Sequence, residues 1–255
     1  MVLPHDEEGA GPAVVLLHAG VADRTMWSEH LPPLADAGYR AVALDLPGFG
    51  EAPPAEAPWS DVLATMSALH IASAAIVGNS FGGAVAYNLA LVAPERVTAL
   101  VLVSAPPPDL EPSSELESVW EAEESALERG EIEAAVRAVV DAWTLPDAPQ
   151  ALRDRVADMQ RRAFELQAEA EAPTELPAPA EENPDLLDEL DVPVLVMSGE
   201  RDMPDFRLGA EALARRLGEA TPTVVPRAGH LAPLEQREEF DRLLIRFLDQ
   251  QISSS

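Results

Sequence analysis

No cysteine occurs in the 255 residues, which excludes disulfides, thiolate nucleophiles and cysteine-based metal sites. That absence is compatible with a reducing cytoplasm, which is the compartment expected for the chain. Lysine is missing as well, so all 17 strong cations are arginines, set against 45 acids for a formal net charge of -28. A chain so short of positive charge has no basic footprint for phosphate, and nucleic acid is not an expected partner. No apolar run is long enough to span a bilayer, and the opening "MVLPHDEEGAG" lacks a basic stretch followed by an apolar one. Neither a signal peptide nor a membrane anchor is therefore expected. Nothing in the residue pattern calls for a metal or a cofactor, and it does not reveal an oligomeric state.

What is present is the composition of a globular protein, 47% hydrophobic and 24% charged. Apolar runs of strand length alternate with helical patterns. The strands are "AVVLLH" (13–18), "YRAVALDL" (39–46), "SAAIVGN" (73–79), "VTALVLVSA" (97–105), "VPVLVMSG" (192–199) and "TPTVVPRA". Runs that are apolar on both faces and separated by helices are what a buried parallel sheet demands. The expected fold is α/β: a mostly parallel, doubly wound sheet of about six strands, with little or no antiparallel edge. Residues 106–190 break the alternation. They begin with "PPPDLEPSS" and end near "APTELPAPAEENP", and between lie three helical patterns near 114–129, 131–144 and 149–171. Ser114 and Glu117 have capping-box spacing at the first. This pattern predicts an all-helical lid (106–190) inserted into a core made of residues 1–105 and 191–255. Trp143, Trp120, Met203 and Leu231 are the candidate pocket residues.

"VGNSFGGAVAY" (77–87) places Ser80 between two glycines, after an apolar strand and before a small-residue helix. On such a sharp turn a serine is lifted clear of the sheet, and a side chain at Gly78 or Gly82 would clash. A serine hydroxyl needs a base to act as a nucleophile. Of the five histidines, only His230 in "RAGHLAPLE" follows a late strand in a loop; His18, in "LLHAG", reads as a loop-ordering residue. The imidazole needs a carboxylate to fix its tautomer and stabilise its charged form. "SGERDMPDF" offers Asp202 and Asp205, with Glu200 a weaker third and Asp109, beyond an earlier strand, a fourth. Asp205 also reads as a helix N-cap. An oxyanion needs backbone donors, for which the N–H of Phe81 and that of Gly20 or Val21 are placed.

These motifs together resemble the α/β-hydrolase superfamily. "LLHAG" is similar to its strand-end His-Gly element, "DLPGFGEA" to its next strand and loop, "GNSFGG" to its nucleophile elbow, "GERDMPD" to its acid loop and "AGHLAPLE" to its histidine loop. The order Ser, Asp, His agrees. The resemblance covers the core from about Pro12 to Asp249 and implies Ser80 as nucleophile, Asp202 as orienting acid and His230 as base. Serine at the elbow sets the chain apart from the epoxide hydrolases and haloalkane dehalogenases of that superfamily, whose nucleophile is a carboxylate. The reaction implied is hydrolysis of a small, neutral carboxylic ester or lactone. The alternatives are hydrolysis of a carbon–carbon bond by the same fold, or a ligand sensor of low turnover. "GNSFGG" is similar to the elbow of the carbon–carbon hydrolases, but their glycine-rich first loop is missing and Leu231 stands where they carry tryptophan.

The acidity is uneven. Residues 106–190 hold 6 arginines against 23 acids, a net of -17. Two readings stand: solubility together with a codon bias toward arginine, or adaptation to high salt, which screens self-repulsion. Thermal melts across a salt series separate them. The second requires Tm to rise toward molar salt, and a flat Tm contradicts it.

Overall fold

The computed structural model describes residues 1–170, 176–218 and 221–252. Seven strands form one sheet in the order β1-β3-β2-β4-β5-β6-β7 among the described residues. They are β1 (His5–Gly9), β2 (Ala13–Leu17), β3 (Arg40–Leu44), β4 (Ala74–Asn79), β5 (Val97–Val103), β6 (Val194–Gly199) and β7 (Thr223–Val225). The last six are parallel, and β1 pairs antiparallel with β3, from His5 opposite Leu44 to Gly9 opposite Arg40. The six parallel strands are those expected, and β1 adds a short antiparallel edge where little or none was expected. Its sequence, HDEEG, is charged and largely exposed, so it has none of the apolar signal that marks a buried strand. Charge on an edge also discourages pairing with another chain.

Side chains of the parallel strands alternate between two cores. Val14, Leu16, Val77, Val101, Val103 and Met197 lie on one face, together with Leu31 and Leu34 of α1 (Leu31–Asp36) and Phe240 and Leu244 of α10 (Arg237–Ile252). Val15, Leu17, Ile76, Leu100, Leu102 and Val196 lie on the other. There they meet α2 (Pro58–Ala68), α3 (Phe81–Val92) and α8 (Pro204–Arg216). Burial on both faces is why these strands read as continuous apolar runs.

Between β5 and β6 the chain runs through α4 (Ser114–Glu128), α5 (Ile132–Trp143), α6 (Gln150–Glu169) and the short α7 (Pro179–Glu182). The cap of α4 is Ser113, whose hydroxyl accepts the Leu116 N–H, one residue before the expected Ser114. The cause is Asp205, which accepts the Ser113 N–H at 2.7 Å and its hydroxyl at 2.9 Å and so fixes that serine at the helix start. Val136, Val139, Val140 and Trp143 are buried in the first core, whereas Trp120 and Leu127 are exposed. Long side chains fasten α6 to the loops at the ends of β2 and β3. Arg162 donates to Asp23 at 2.5 Å, Arg155 donates to the Thr25 carbonyl, and Gln167 donates to the Gly48 carbonyl at 3.0 Å. Burial alone would raise the Asp23 carboxyl, but hydrogen bonds from Thr25 and Arg162 hold it below its ordinary range.

The loops after β2 and β3 are held to each other by Asp45, which is fully buried. Its carboxylate accepts the Arg24 N–H and the Glu51 N–H, each at 2.8 Å, and pairs with the Arg24 guanidinium. Four more short helices complete the chain order among the described residues: three are 3-10 (Arg24–Trp27, Pro94–Arg96 and Pro184–Glu189) and the fourth is α9 (Ala232–Glu235). No helix among the described residues is long and apolar enough to cross a membrane.

Asp45→Ala strands two backbone donors and removes one of the three carboxylates around the Arg24 guanidinium, and should lower the unfolding free energy by about 3 kcal/mol in urea titrations. A loss below about 1 kcal/mol contradicts the anchoring role.

Candidate active site

The sheet order reverses between β2 and β4, since the chain proceeds to β3 on one side and to β5 on the other. In an open α/β sheet the crevice outside the strand ends at such a point is where ligands sit. Here the loop after β2 carries Gly20 and Val21, and β4 runs directly into Ser80.

Ser80 has φ 53° and ψ -116°, a conformation that side chains rarely adopt. It survives because the turn is held on both sides. The Ser80 N–H donates to the Val103 carbonyl at 2.8 Å, and the Ser80 carbonyl accepts the Gly83 N–H at 2.8 Å. A Cβ on Gly78 would fall 2.2 Å from the Gly82 carbonyl oxygen, and one on Gly82 would fall 2.4 Å from that of Leu17. Only glycine permits those approaches. Phe81 opens α3, so its N–H belongs to the set at a helix start that has no partner within the helix. Gly20 lies against Phe81: a carbon added to it would be 3.4 Å from Phe81 Cβ. The Ala22 N–H is occupied by the Ala19 carbonyl at 3.0 Å, in a turn with Gly20 and Val21 at its centre.

His230 follows β7 and is 4% exposed. Its Nδ1 lies 3.1 Å from Asp202 Oδ1 and 3.4 Å from Oδ2. Asp202 stands three residues beyond β6, and its Oδ1 also accepts the Met203 N–H at 2.8 Å. The competing acids are engaged elsewhere. Asp205 holds Ser113, Asp109 pairs with Arg216 at 2.9 Å, and Glu200 accepts the Arg227 N–H at 2.7 Å. Two rings enclose the imidazole: Phe206 at 4.3 Å and Trp143 at 4.5 Å between centroids. Asn79, one residue before Ser80, donates through Nδ2 to the His230 carbonyl at 3.2 Å. With Asp202 accepting at Nδ1, the tautomer that leaves Nε2 free to accept a proton is favoured.

His18 is a different kind of residue. It is fully buried, Leu46 N–H donates to its Nε2 at 2.9 Å, and its Nδ1 lies 2.8 Å from the Ala19 carbonyl. Burial pushes its pKa down, and the neutral ring ties the loop after β2 to the loop after β3.

Ser80, Phe81, His230, Gly20 and Val21 line a single cavity of about 550 Å³. Trp143 and Trp120 are also in its wall, with Trp59, Leu110 and Phe206. Met203 and Leu231, expected at the pocket, are not in that wall. Leu231 is fully buried in the core beneath the histidine loop, and Met203 packs on the same core at the start of α8. Sequence reasoning missed three acids that do line it, Glu56, Glu123 and Glu181. Burial holds the Glu123 carboxyl above its ordinary range. Among the described residues no arginine lines the cavity. No group of three or more metal-ligating side chains occurs among the described residues.

The strand order and the helices on both faces of the sheet agree with what comparison finds. The chain matches the alpha/beta hydrolase family over residues 14–243 and belongs to it. A 2-hydroxy-6-oxo-6-phenylhexa-2,4-dienoate hydrolase of Burkholderia cepacia is 29% identical over 95% of this chain and 90% of its own. A bifunctional epoxide hydrolase 2 of Sus scrofa is 36% identical over 39% of this chain and 20% of its own. Among solved structures, a thermophilic esterase from Thermogutta terrifontis is 26% identical, with a TM-score of 0.78 over 98% of this chain and 93% of that one. The first curated relatives are matched over only 20% to 39% of their length.

Proposed function

We propose that the protein is a serine hydrolase that cleaves a small, neutral carboxylic ester or lactone through an acyl-enzyme on Ser80. The observation that carries this reading is the His230–Asp202 contact at 3.1 Å beside the cavity into which the strained Ser80 turn opens. In the mechanism, the Ser80 hydroxyl attacks the ester carbonyl as His230 Nε2 takes its proton. Asp202 stabilises the imidazolium and keeps Nδ1–H pointed at itself. The N–H groups of Phe81 and of Gly20 or Val21 receive the oxyanion. His230 then returns the proton to the departing alcohol, and a water activated by the same imidazole releases the acid. Helices α4 to α6 serve as the lid, with Trp143 against both His230 and the substrate.

A second reading, carbon–carbon bond hydrolysis, draws support from the relative in Burkholderia cepacia, a dienoate hydrolase that aligns over nearly the whole chain. The cavity argues against it. A dienoate carries a carboxylate, and Glu56, Glu123 and Glu181 in a wall without arginine oppose an anion. The same charge favours a neutral acyl group. An aryl butyrate should therefore show kcat/KM at least about tenfold above the matching aryl hemisuccinate. Equal rates, or preference for the anion, contradict the assignment.

A fluorophosphonate probe tests the serine directly: wild type should be labelled at one site and Ser80→Ala should not. Asp202→Asn should lower kcat on aryl esters by about three to four orders of magnitude, as expected when the imidazole tautomer is lost. Asp205→Asn should leave kcat within about twofold and act on stability instead, because its bonds go to Ser113. The reverse pattern reassigns the acid.

A further inference from the structure

Four contacts fix the imidazole and its own peptide. Asp202 meets Nδ1, Asn79 holds the His230 carbonyl, and Phe206 and Trp143 flank the ring. The peptide just before it is held differently. On one side the Ala228 carbonyl accepts the Arg201 N–H at 2.7 Å, which draws the loop toward the segment that bears Asp202. On the other side stands Glu235, at the end of the one-turn α9. Its Oε2 accepts the Gly229 N–H at 2.5 Å, and its Oε1 accepts the Leu145 N–H at 3.2 Å. Leu145 lies two residues past Trp143, the last residue of α5. The packing there is close, since a Cβ on Gly229 would sit 2.9 Å from Leu145 Cδ2 and 3.1 Å from Glu235 Oε2.

We propose that Glu235 is a positioning residue for His230, its two carboxylate oxygens locking the histidine loop to the end of the α5 segment that carries Trp143. This rests on the serine-hydrolase reading above. The chemistry of the link requires a carboxylate. Both oxygens accept from backbone N–H groups, and charge-assisted bonds of this kind are stronger than neutral ones. A glutamine in the same place keeps one acceptor and turns an N–H₂ toward the second donor. Glu235 touches neither Ser80 nor the substrate cavity, so it acts through His230 and Trp143. The consequence is a coupling: the ring that covers the imidazole and the loop that carries the imidazole move together or not at all. Displacing a reacting group by about 1 Å costs up to about a hundredfold in rate.

The test is Glu235→Gln, with sites counted by end-point fluorophosphonate labelling and kinetics measured on a neutral aryl ester. Full label stoichiometry, kcat per labelled site about tenfold to a hundredfold below wild type and KM within twofold are expected. A residue that only supports the fold would lower the labelled fraction and leave kcat per site unchanged; a kcat per site within twofold of wild type overturns the proposal. Should the variant not fold, amide hydrogen exchange in the wild type decides. Gly229 and Leu145 should both be protected, and exchange at both as fast as in an open chain overturns it. A wild type that takes no label removes the serine reading, and this inference with it. A labelled wild type with an unimpaired Glu235→Gln removes only the inference.

Discussion

The backbone of Ser80, at φ 53° and ψ -116°, is held there by contacts from three strands' worth of chain. Its N–H is bonded to the end of β5, Gly78 on β4 lies against the Gly82 carbonyl, and Gly82 in α3 lies against the end of β2. A strained residue of this kind costs about 1–3 kcal/mol and persists only where its surroundings over-determine it. The largely buried strands β2, β4 and β5 supply that rigidity, and their apolar faces are the core of the molecule. The same close approach of α3 to β2 sets Phe81 beside Gly20. One steric constraint therefore presents the serine and brings two candidate oxyanion donors to the same cavity.

The histidine side of the site depends on polar ties rather than on steric ones. His230 sits on a loop after β7, a strand of only three residues at the sheet edge, where strand packing offers little restraint. Asp202, Asn79, Arg201 and Glu235 each supply a hydrogen bond to that loop or to the ring, from three different segments. The inserted helices join in through Trp143 and Leu145. The insertion is in turn clamped to the loop after β2 by Arg155 and Arg162. Two of its acids, Glu123 and Glu181, line the cavity.

Much of this was legible in the residues because local physics wrote it there. Six strands announce themselves through apolar runs, and the elbow through glycines that no other residue can replace at that turn. The order of Ser80, Asp202 and His230 follows from strand ends. β1 is the faintest strand because an exposed edge strand has no hydrophobic period to read, only HDEEG. The cap at Ser113 was displaced by one residue because Asp205, 92 positions away, selects it. Leu231 and Met203 are apolar neighbours of the site residues in sequence, but the loop turns one into the core and places the other at a helix start. Glu235 gave no signal at all, since its partners lie 6 and 90 residues away and meet only in the fold. Glutamates in the cavity wall were hidden for the same reason: among 45 acids, only three-dimensional placement marks out Glu56, Glu123 and Glu181.

In the proposed reaction, substrate acyl groups pass covalently through Ser80. Acid-quenched mass spectrometry during turnover of a slowly deacylating ester tests it most directly. A protein species heavier by one acyl group is expected, with the added mass mapped to Ser80 and chased away when substrate is exhausted. Turnover without any acylated species under conditions that trap it, or an adduct that maps to a carboxylate, would contradict it.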